Sequence, residues 1–473
     1  MPNSRSCDQC YAHKKKCRFQ DGSTSCGRCT RYSISCSMVR DQVRPGRPAR
    51  PKALGPGGYV QVWRSGDGLH NKKKKTRVQQ KLDPVPSSPS FTDALAMREA
   101  VIAKSTTTEL GEHKSPRPPK IADFYAINDI FMIGPTFAPK FYHALEYTYG
   151  MAPDLLRDMF SAMETYLDCA RRDPAAARQM DITEVTNSLR KLRATEITNE
   201  NDGLAVMLLG QTLAAFDSFF ASAGSMLILR HSLYLVKPWY SQLAQADFLD
   251  SVTITPLFWD IVWCLINREV PIIRPHIIRP QVADRIAGLC TSLIPVLYDL
   301  CTVSNQMASK PYQAGTNDLE DIERRVRAWQ PDEDSLKSVE FTEIEILSMR
   351  AQASMYRSAA LLLIHRLVHP ISSQDGIAVS YANDIFEQRD DFFALCKPDT
   401  KLQYTSFPIF LALLEIPLRS RSIWKTMTRF PIRPANNDQI ISLLKYVWEQ
   451  RWNGFKGSLF ELLGKGGQFI SVI

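Results

Sequence analysis

From residue 121 onward, apolar residues recur at helical spacing, and they almost never alternate as they do in strands. The periodicity predicts helices over 154–171, 203–220, 256–267, 281–303, 340–369, 382–396, 407–428 and 437–449. Pro256 falls where the pattern places a first helical turn, and Pro280 precedes the next helix. Pro370 and Pro398 stop two others. Residues 121–473 therefore read as all-α, one large domain or two intimate ones. The longest apolar run, 203–229, is interrupted by Gln211, Asp217 and several serines, and Gly224-Ser225 can break it in two. A membrane span needs about 20 residues with few charges, so a buried core helix fits this run better.

Residues 41–120 differ. Pro and Gly crowd them, as in Arg44-Pro45-Gly46-Arg47-Pro48 and Gly55-Pro56-Gly57-Gly58, and apolar periodicity is lost. Such a segment cannot bury enough surface to fold alone and reads as a disordered linker. One amphipathic island, Thr92 to Lys104, has the pattern of a transient helix. Over the whole chain, 44% hydrophobic and 23% charged residues exclude disorder throughout, and 473 residues can hold two to four domains.

Charge sharpens this division. Residues 1–80 contain 18 Lys/Arg against 4 Asp/Glu, a local charge of +14, whereas the rest of the chain carries −5. A basic end on a mildly acidic body points to a polyanionic partner, nucleic acid or an acidic membrane surface. Cysteines share the asymmetry. Six of eleven lie within residues 7–36, in the order Cys7-x2-Cys10-x6-Cys17-x8-Cys26-x2-Cys29-x6-Cys36. Residues 1–5 lead into polar and basic residues with no apolar secretory core, so clustered cysteines read as metal ligands rather than disulfides. The scattered cysteines, such as Cys264 between Trp263 and Leu265, read as small core residues.

The cluster is a duplicated C-x2-C-x6-C unit. Tetrahedral zinc takes four ligands, so two zincs need eight positions. Six thiolates fill eight positions only if two of them bridge. The symmetry of the repeat makes Cys7 and Cys26, the first cysteine of each half, the natural pair. Six thiolates and two Zn2+ sum to −2, leaving the first 80 residues at about +12 after metal binding. A zinc cluster that mediates only protein contact is the alternative, and the charge favours nucleic acid.

The cysteine order, with the basic run Lys14-Lys15-Lys16 before the third cysteine, resembles the fungal two-zinc binuclear-cluster transcription factors. The body resembles that family's helical regulatory region more loosely, in segments such as Thr255-Pro256-Leu257-Phe258-Trp259-Asp260 and Val447-Trp448-Glu449-Gln450-Arg451. The resemblance implies a small zinc-binuclear-cluster domain (1–40), a disordered basic linker (41–120) and a large all-α regulatory domain (121–473). It implies a short helix from Tyr11 to Lys16 that lies in the major groove and reads a CGG-type triplet. His13 and Lys14 would face base edges, with Lys15 beside them. Lys16, Arg18, Arg28 and Arg31 would hold phosphates. Tyr11 stands where the family usually has Arg, His13 where it usually has Lys or Arg, and the loop between Cys17 and Cys26 lacks the usual proline. These departures bear on the triplet read, not on the metal ligands.

In the linker, Pro45-Gly46-Arg47-Pro48 resembles the core of an AT-hook. Arg44 and Arg47 are thus candidates for the minor groove or for diffuse phosphate attraction. Lys72, Lys73, Lys74, Lys75 and Arg77 form a candidate nuclear-import signal for an import receptor. No heptad segment follows the cluster, so a homodimer would form through the helical body rather than a zipper. Enzyme signatures are absent: there is no P-loop, G-x-S-x-G or H-E-x-x-H. His365 and His369 have metal-pair spacing without a nearby acidic third ligand, and they suit a helix C-terminus. The acidic stretch Asp332-Glu333-Asp334, with Glu340, Glu343 and Glu345, reads as a solvated helix start or a coactivator face. The expected protein is a nuclear, sequence-specific RNA polymerase II transcription factor. It is not an enzyme, and no membrane partner is expected. By resemblance it activates a metabolic or secondary-metabolite gene cluster. A small-molecule-responsive repressor or co-regulator with the same head is the alternative.

Overall fold

In the computed structural model, the chain divides into two units, Met1–Asp83 and Pro84–Ile473. The structure describes residues 7, 8, 10, 17–19, 23–31, 36 and 37 of the first. In the second it describes 132–173, 177, 179–220, 224–275, 282–309, 316–337, 339–397, 400–417 and 434–466. The 41–120 linker and the Thr92 to Lys104 helix lie outside the described residues.

In the described part of the first unit, a short helix, α1 (Gly27–Arg31), lies among the cysteines, and Asp8 and Cys10 are also helical. The second unit is helical. Its helices are α2 (Ala138–Met151), α3 (Pro153–Arg172), α4 (Thr183–Ala194), α5 (Glu200–Phe219), α6 (Ser225–Val236) and α7 (Tyr240–Leu243). They continue with α8 (Asp250–Asn267), α9 (Ile294–Ser309), α10 (Thr316–Ala328), α11 (Glu343–Val368), α12 (Asp375–Leu395), α13 (Ser406–Glu415), α14 (Pro434–Trp452) and α15 (Leu459–Gly466). No strand occurs among the described residues; a single antiparallel bridge joins Asp284 to Gly288.

α5 is apolar on every side because it is enclosed on every side: all residues from Gly203 to Phe219 are buried. Its start is fixed by Asn199, whose side chain accepts the Asp202 N–H, while Thr198 donates to the Asp202 carboxylate. The break at Gly224-Ser225 turns the chain back, so α6 packs along α5. The two helices meet at Gly210, where an added Cβ would fall 2.1 Å from Ser232 Oγ and 2.3 Å from Ser232 Cβ. Gly210→Ala is therefore expected to cost about 1–3 kcal/mol through overpacking, and Ser232→Gly should recover part of it. Urea unfolding of the full chain measures both. A neutral Gly210→Ala would mean that the two helices can part at no cost.

Three expected boundaries are corrected. The helix expected to start at Pro256 begins at Asp250, and Pro256 lies inside it. Proline has no N–H for the Val252 carbonyl, but the flanking residues are buried against α5, α6 and α9, and that packing offsets the lost bond. The helix expected over 281–303 begins only at Ile294, with Pro295 in its first turn. Upstream, Asp284 Oδ1 accepts the N–H groups of Ile286 and Ala287 at 2.9 and 2.8 Å, and Gly288 adopts φ +55°. That local bonding competes with helix. The 407–428 helix stops at Glu415, before Pro417, and residues 418–433 lie outside the described residues. The stretch Asp247–Asn267 is long and apolar enough to cross a bilayer, but nearly all of it is buried in this core.

The start of α11 explains the acidic stretch. Thr342 and Glu345 form a capping box. Glu345 also accepts the Thr136 N–H at 2.9 Å and its hydroxyl at 2.6 Å, pinning the segment before α2 onto α11. Burial opposes its charge, but these bonds outweigh it and hold the Glu345 carboxyl below its usual range. Glu333 receives a bidentate Arg350 at 2.8 and 2.9 Å. The acidic side chains described here thus serve a helix start.

Candidate metal centre

The six cysteines of the first unit converge. Two groups of four have all their sulfurs within 4.8 Å of one another: Cys7, Cys10, Cys17 and Cys26, and Cys7, Cys26, Cys29 and Cys36. Cys7 and Cys26 belong to both. Cys7 Sγ lies 3.7 Å from the sulfurs of Cys26 and Cys29, and Cys10 Sγ lies 3.6 Å from that of Cys26. Tetrahedral zinc with Zn–S of about 2.3 Å has sulfur–sulfur edges of about 3.8 Å. The donors therefore fit zinc in type and spacing, and the six cysteines could hold metal.

The sequence repeat becomes a repeat of hydrogen bonds. In each half the second cysteine's N–H donates to the first cysteine's sulfur: Cys10 to Cys7 and Cys29 to Cys26, both 3.4 Å. The first cysteine's N–H donates to the third's sulfur: Cys7 to Cys17 at 3.3 Å and Cys26 to Cys36 at 3.4 Å. The halves are then tied crosswise. The residue after each first cysteine donates its N–H to the carbonyl of the residue after the other half's third cysteine, Asp8 to Ser37 at 2.9 Å and Gly27 to Arg18 at 3.0 Å. Phe19 packs against the sulfurs.

Cys26 is the N-cap of α1, and its sulfur takes the N–H three residues on, as a serine oxygen would. The helix thus begins right after the first cysteine of its half and contains the second, earlier than the cysteine spacing alone suggests. The Cys29 N–H lowers the Cys26 thiol to about 6. Burial raises Cys7, but the Cys10 N–H and neighbouring thiols outweigh it, so Cys7 is also lowered. Burial and the bonds from Cys26 and Cys7 push Cys10 up to about 12. The two shared sulfurs are therefore the two held toward thiolate, the form that binds metal.

Of the expected DNA-facing residues, Arg18 and Arg31 are exposed beside the cluster and Arg28 is half-buried. His13, Lys14, Lys15, Lys16, Arg44, Arg47, Lys72, Lys73, Lys74, Lys75 and Arg77 lie outside the described residues. Sequence reasoning missed one side-chain clasp: Ser37 Oγ donates to Asp8 Oδ2 at 2.8 Å, alongside the backbone bond. Their positions, each one residue past a terminal cysteine of the repeat, were the available signal.

The second unit shows no metal-ligand group among its described residues. The rings of His365 and His369 lie 4.6 Å apart, and His365 Nε2 is 3.2 Å from the Gln374 carbonyl, as befits a helix C-terminus. Among the described residues, one fully buried ion pair was not anticipated. Arg366 and Glu415, far apart in sequence, meet with no side-chain exposure and draw in Asp375 and Arg451.

No curated protein and no solved structure matches the chain. A family model described as the fungal specific transcription factor domain matches residues 192–461, from α4 to α15 and more than half of the chain. With the zinc-type cysteine cluster of the first unit beside this helical body, the chain belongs to the fungal specific transcription factor domain family, and it is a regulator of transcription.

Proposed function

We propose that the protein is a nuclear, sequence-specific DNA-binding regulator of RNA polymerase II transcription. Residues 1–40 form the reading head, 41–120 a basic linker and 121–473 the regulatory body. The observation that carries this reading is the pair of four-sulfur groups sharing Cys7 and Cys26 within a segment of charge +14. Each group would hold one Zn2+, with Cys7 and Cys26 common to both sets of ligands. The metal's role is structural, holding in a fixed shape a head too small for a hydrophobic core.

On this reading His13 and Lys14 face a CGG-type half-site in the major groove, and Lys15 also contacts the DNA. Lys16, Arg18, Arg28 and Arg31 neutralise phosphates. Arg44 and Arg47 extend along the flanking duplex, and Lys72 to Lys75 with Arg77 engage an import receptor. The body contacts the transcription machinery or a coactivator and provides any homodimer interface. Family habit favours activation of a metabolic gene cluster.

Selection of binding sites from random duplex DNA by the zinc-loaded full chain tests the reading. A recurrent G/C-bearing triplet is expected, and Lys14→Ala should weaken binding there by about 1–3 kcal/mol. An equal loss on all sequences would reduce Lys14 to a phosphate contact. No enrichment at all would leave the cluster a protein-contact module.

A further inference from the structure

Among the described residues, the two halves of the head differ at their cross-ties. The Asp8 N–H donates to the Ser37 carbonyl at 2.9 Å, and the Gly27 N–H donates to the Arg18 carbonyl at 3.0 Å. The first tie is doubled, because Ser37 Oγ also donates to Asp8 Oδ2 at 2.8 Å. The second cannot be doubled in this way, because Gly27 has no side chain. Neither space nor backbone demands that glycine. An added Cβ would lie 3.9 Å from the Arg18 carbonyl oxygen, an ordinary contact, and Gly27 is not in the left-handed region.

The doubled tie serves one sulfur group and the single tie the other. Asp8 follows Cys7 and Ser37 follows Cys36, both members of the group Cys7, Cys26, Cys29 and Cys36. Arg18 follows Cys17 and Gly27 follows Cys26, both members of the group Cys7, Cys10, Cys17 and Cys26. Cys7 and Cys26 are common to both groups, so the ties differ in what they do for Cys36 and Cys17. These two are only half-buried, whereas the other four cysteines are buried. A closed four-ligand site releases its metal through the ligand that detaches most easily, here the one nearest solvent. Cys36 is held in place by a backbone bond and by a bond to a carboxylate, which is the stronger kind. Cys17 is held by a backbone bond between neutral groups. Phe19 packs against the sulfurs, but apolar contact does not fix the direction of a thiolate.

We infer that the two metal positions of the head are unequal. Cys7, Cys26, Cys29 and Cys36 form the retentive one, Cys7, Cys10, Cys17 and Cys26 the labile one, and the Asp8–Ser37 clasp is the positioning pair that separates them. This rests on the two-zinc reading proposed above. Cys10 and Cys17 bracket residues 11–16, the segment proposed to read bases. Scarce zinc therefore releases the anchor of the reading segment first, while the half that contains α1 keeps its metal. DNA reading is switched off by falling zinc before the head as a whole is lost.

Transfer of zinc from the zinc-loaded full chain to an excess of the chromogenic chelator pyridylazoresorcinol tests this. Two phases of one zinc each are expected. Ser37→Ala should speed the slow phase by about tenfold and leave the fast phase unchanged. Ser37→Thr keeps the hydroxyl and should restore the slow phase, whereas a general loosening of the head would speed both phases. Asp8→Asn keeps an acceptor without its charge and should speed the same phase by less. It decides the matter if Ser37→Ala cannot be loaded with two zincs. Binding to the selected duplex should disappear with the fast phase; binding that lasts until the slow phase overturns the assigned switch. Two zincs released at one rate, or variants that speed both phases alike, overturn the inference and leave the two-zinc reading standing. Fewer than two zincs in the unaltered protein overturn both.

Discussion

Cys26→Ala is expected to strip the head of all its metal, whereas Cys10→Ala should leave one ion in place. Cys26 contributes its sulfur to both four-cysteine groups, and Cys10 to one only. Without Cys26 each group keeps three sulfurs, too few for a closed structural site. Without Cys10 the group Cys7, Cys26, Cys29 and Cys36 remains complete. Cys26→Ala also removes the sulfur that caps α1 by accepting the Cys29 N–H. Binding of structural zinc contributes about 10–16 kcal/mol to folding in zinc-finger peptides, far more than any cap or packing contact in so small a head. The loss should therefore appear as an all-or-none collapse of the head. Metal analysis per chain after dialysis decides the matter: zero zinc for Cys26→Ala, one for Cys10→Ala, two for the unaltered protein. Equal losses in both variants would mean that no sulfur is shared.

The same contrast shows what could be read in advance. The cluster was legible because ligand number and coordination geometry leave few solutions. Six cysteines in a duplicated spacing force sharing, and the repeat marks the two that share. α3, α5, α11 and α14 were legible because their apolar pattern runs long and unbroken. α4 was missed although Val185, Leu189 and Leu192 recur at helical spacing, because Thr, Asn and Ser dilute the pattern. Pro256 misled because a proline at a helix start is common and one inside a helix is rare, and only the packing on both sides of α8 reverses that preference. At 281–293 apolar content suggested helix, yet Asp284 and Gly288 are turn residues whose local bonds won. Long-range polar pairs leave no mark in the sequence. Nothing local distinguishes Arg366 from a solvated arginine near a helix end, because its partner stands on α13.

That pair carries the second large expectation: Glu415→Ala should destabilise the body by about 3–5 kcal/mol in urea unfolding of the full chain. Arg366 Nε and Nη2 meet Glu415 Oε1 and Oε2 at 2.8 and 2.6 Å, with both side chains at 0% exposure. Arg366 Nη2 also reaches Asp375 Oδ1 at 2.8 Å, and Arg451 Nη1 donates to Glu415 Oε2 at 2.8 Å and to the Leu414 carbonyl at 2.7 Å. Glu415 thus serves two guanidinium groups, and removing it leaves Arg366 buried with only the half-buried Asp375 to balance it. The network gathers the end of α11, the start of α12, the end of α13 and the last turn of α14, so the damage should extend to all four. Replacing both central partners, Arg366→Met with Glu415→Leu, should be milder than Glu415→Ala alone, because apolar groups of similar size avoid a stranded charge. If the double variant is instead the worse of the two, the pair is a net source of stability. If Glu415→Ala costs less than about 1 kcal/mol, water must reach Arg366 and the burial of this pair is not maintained in solution.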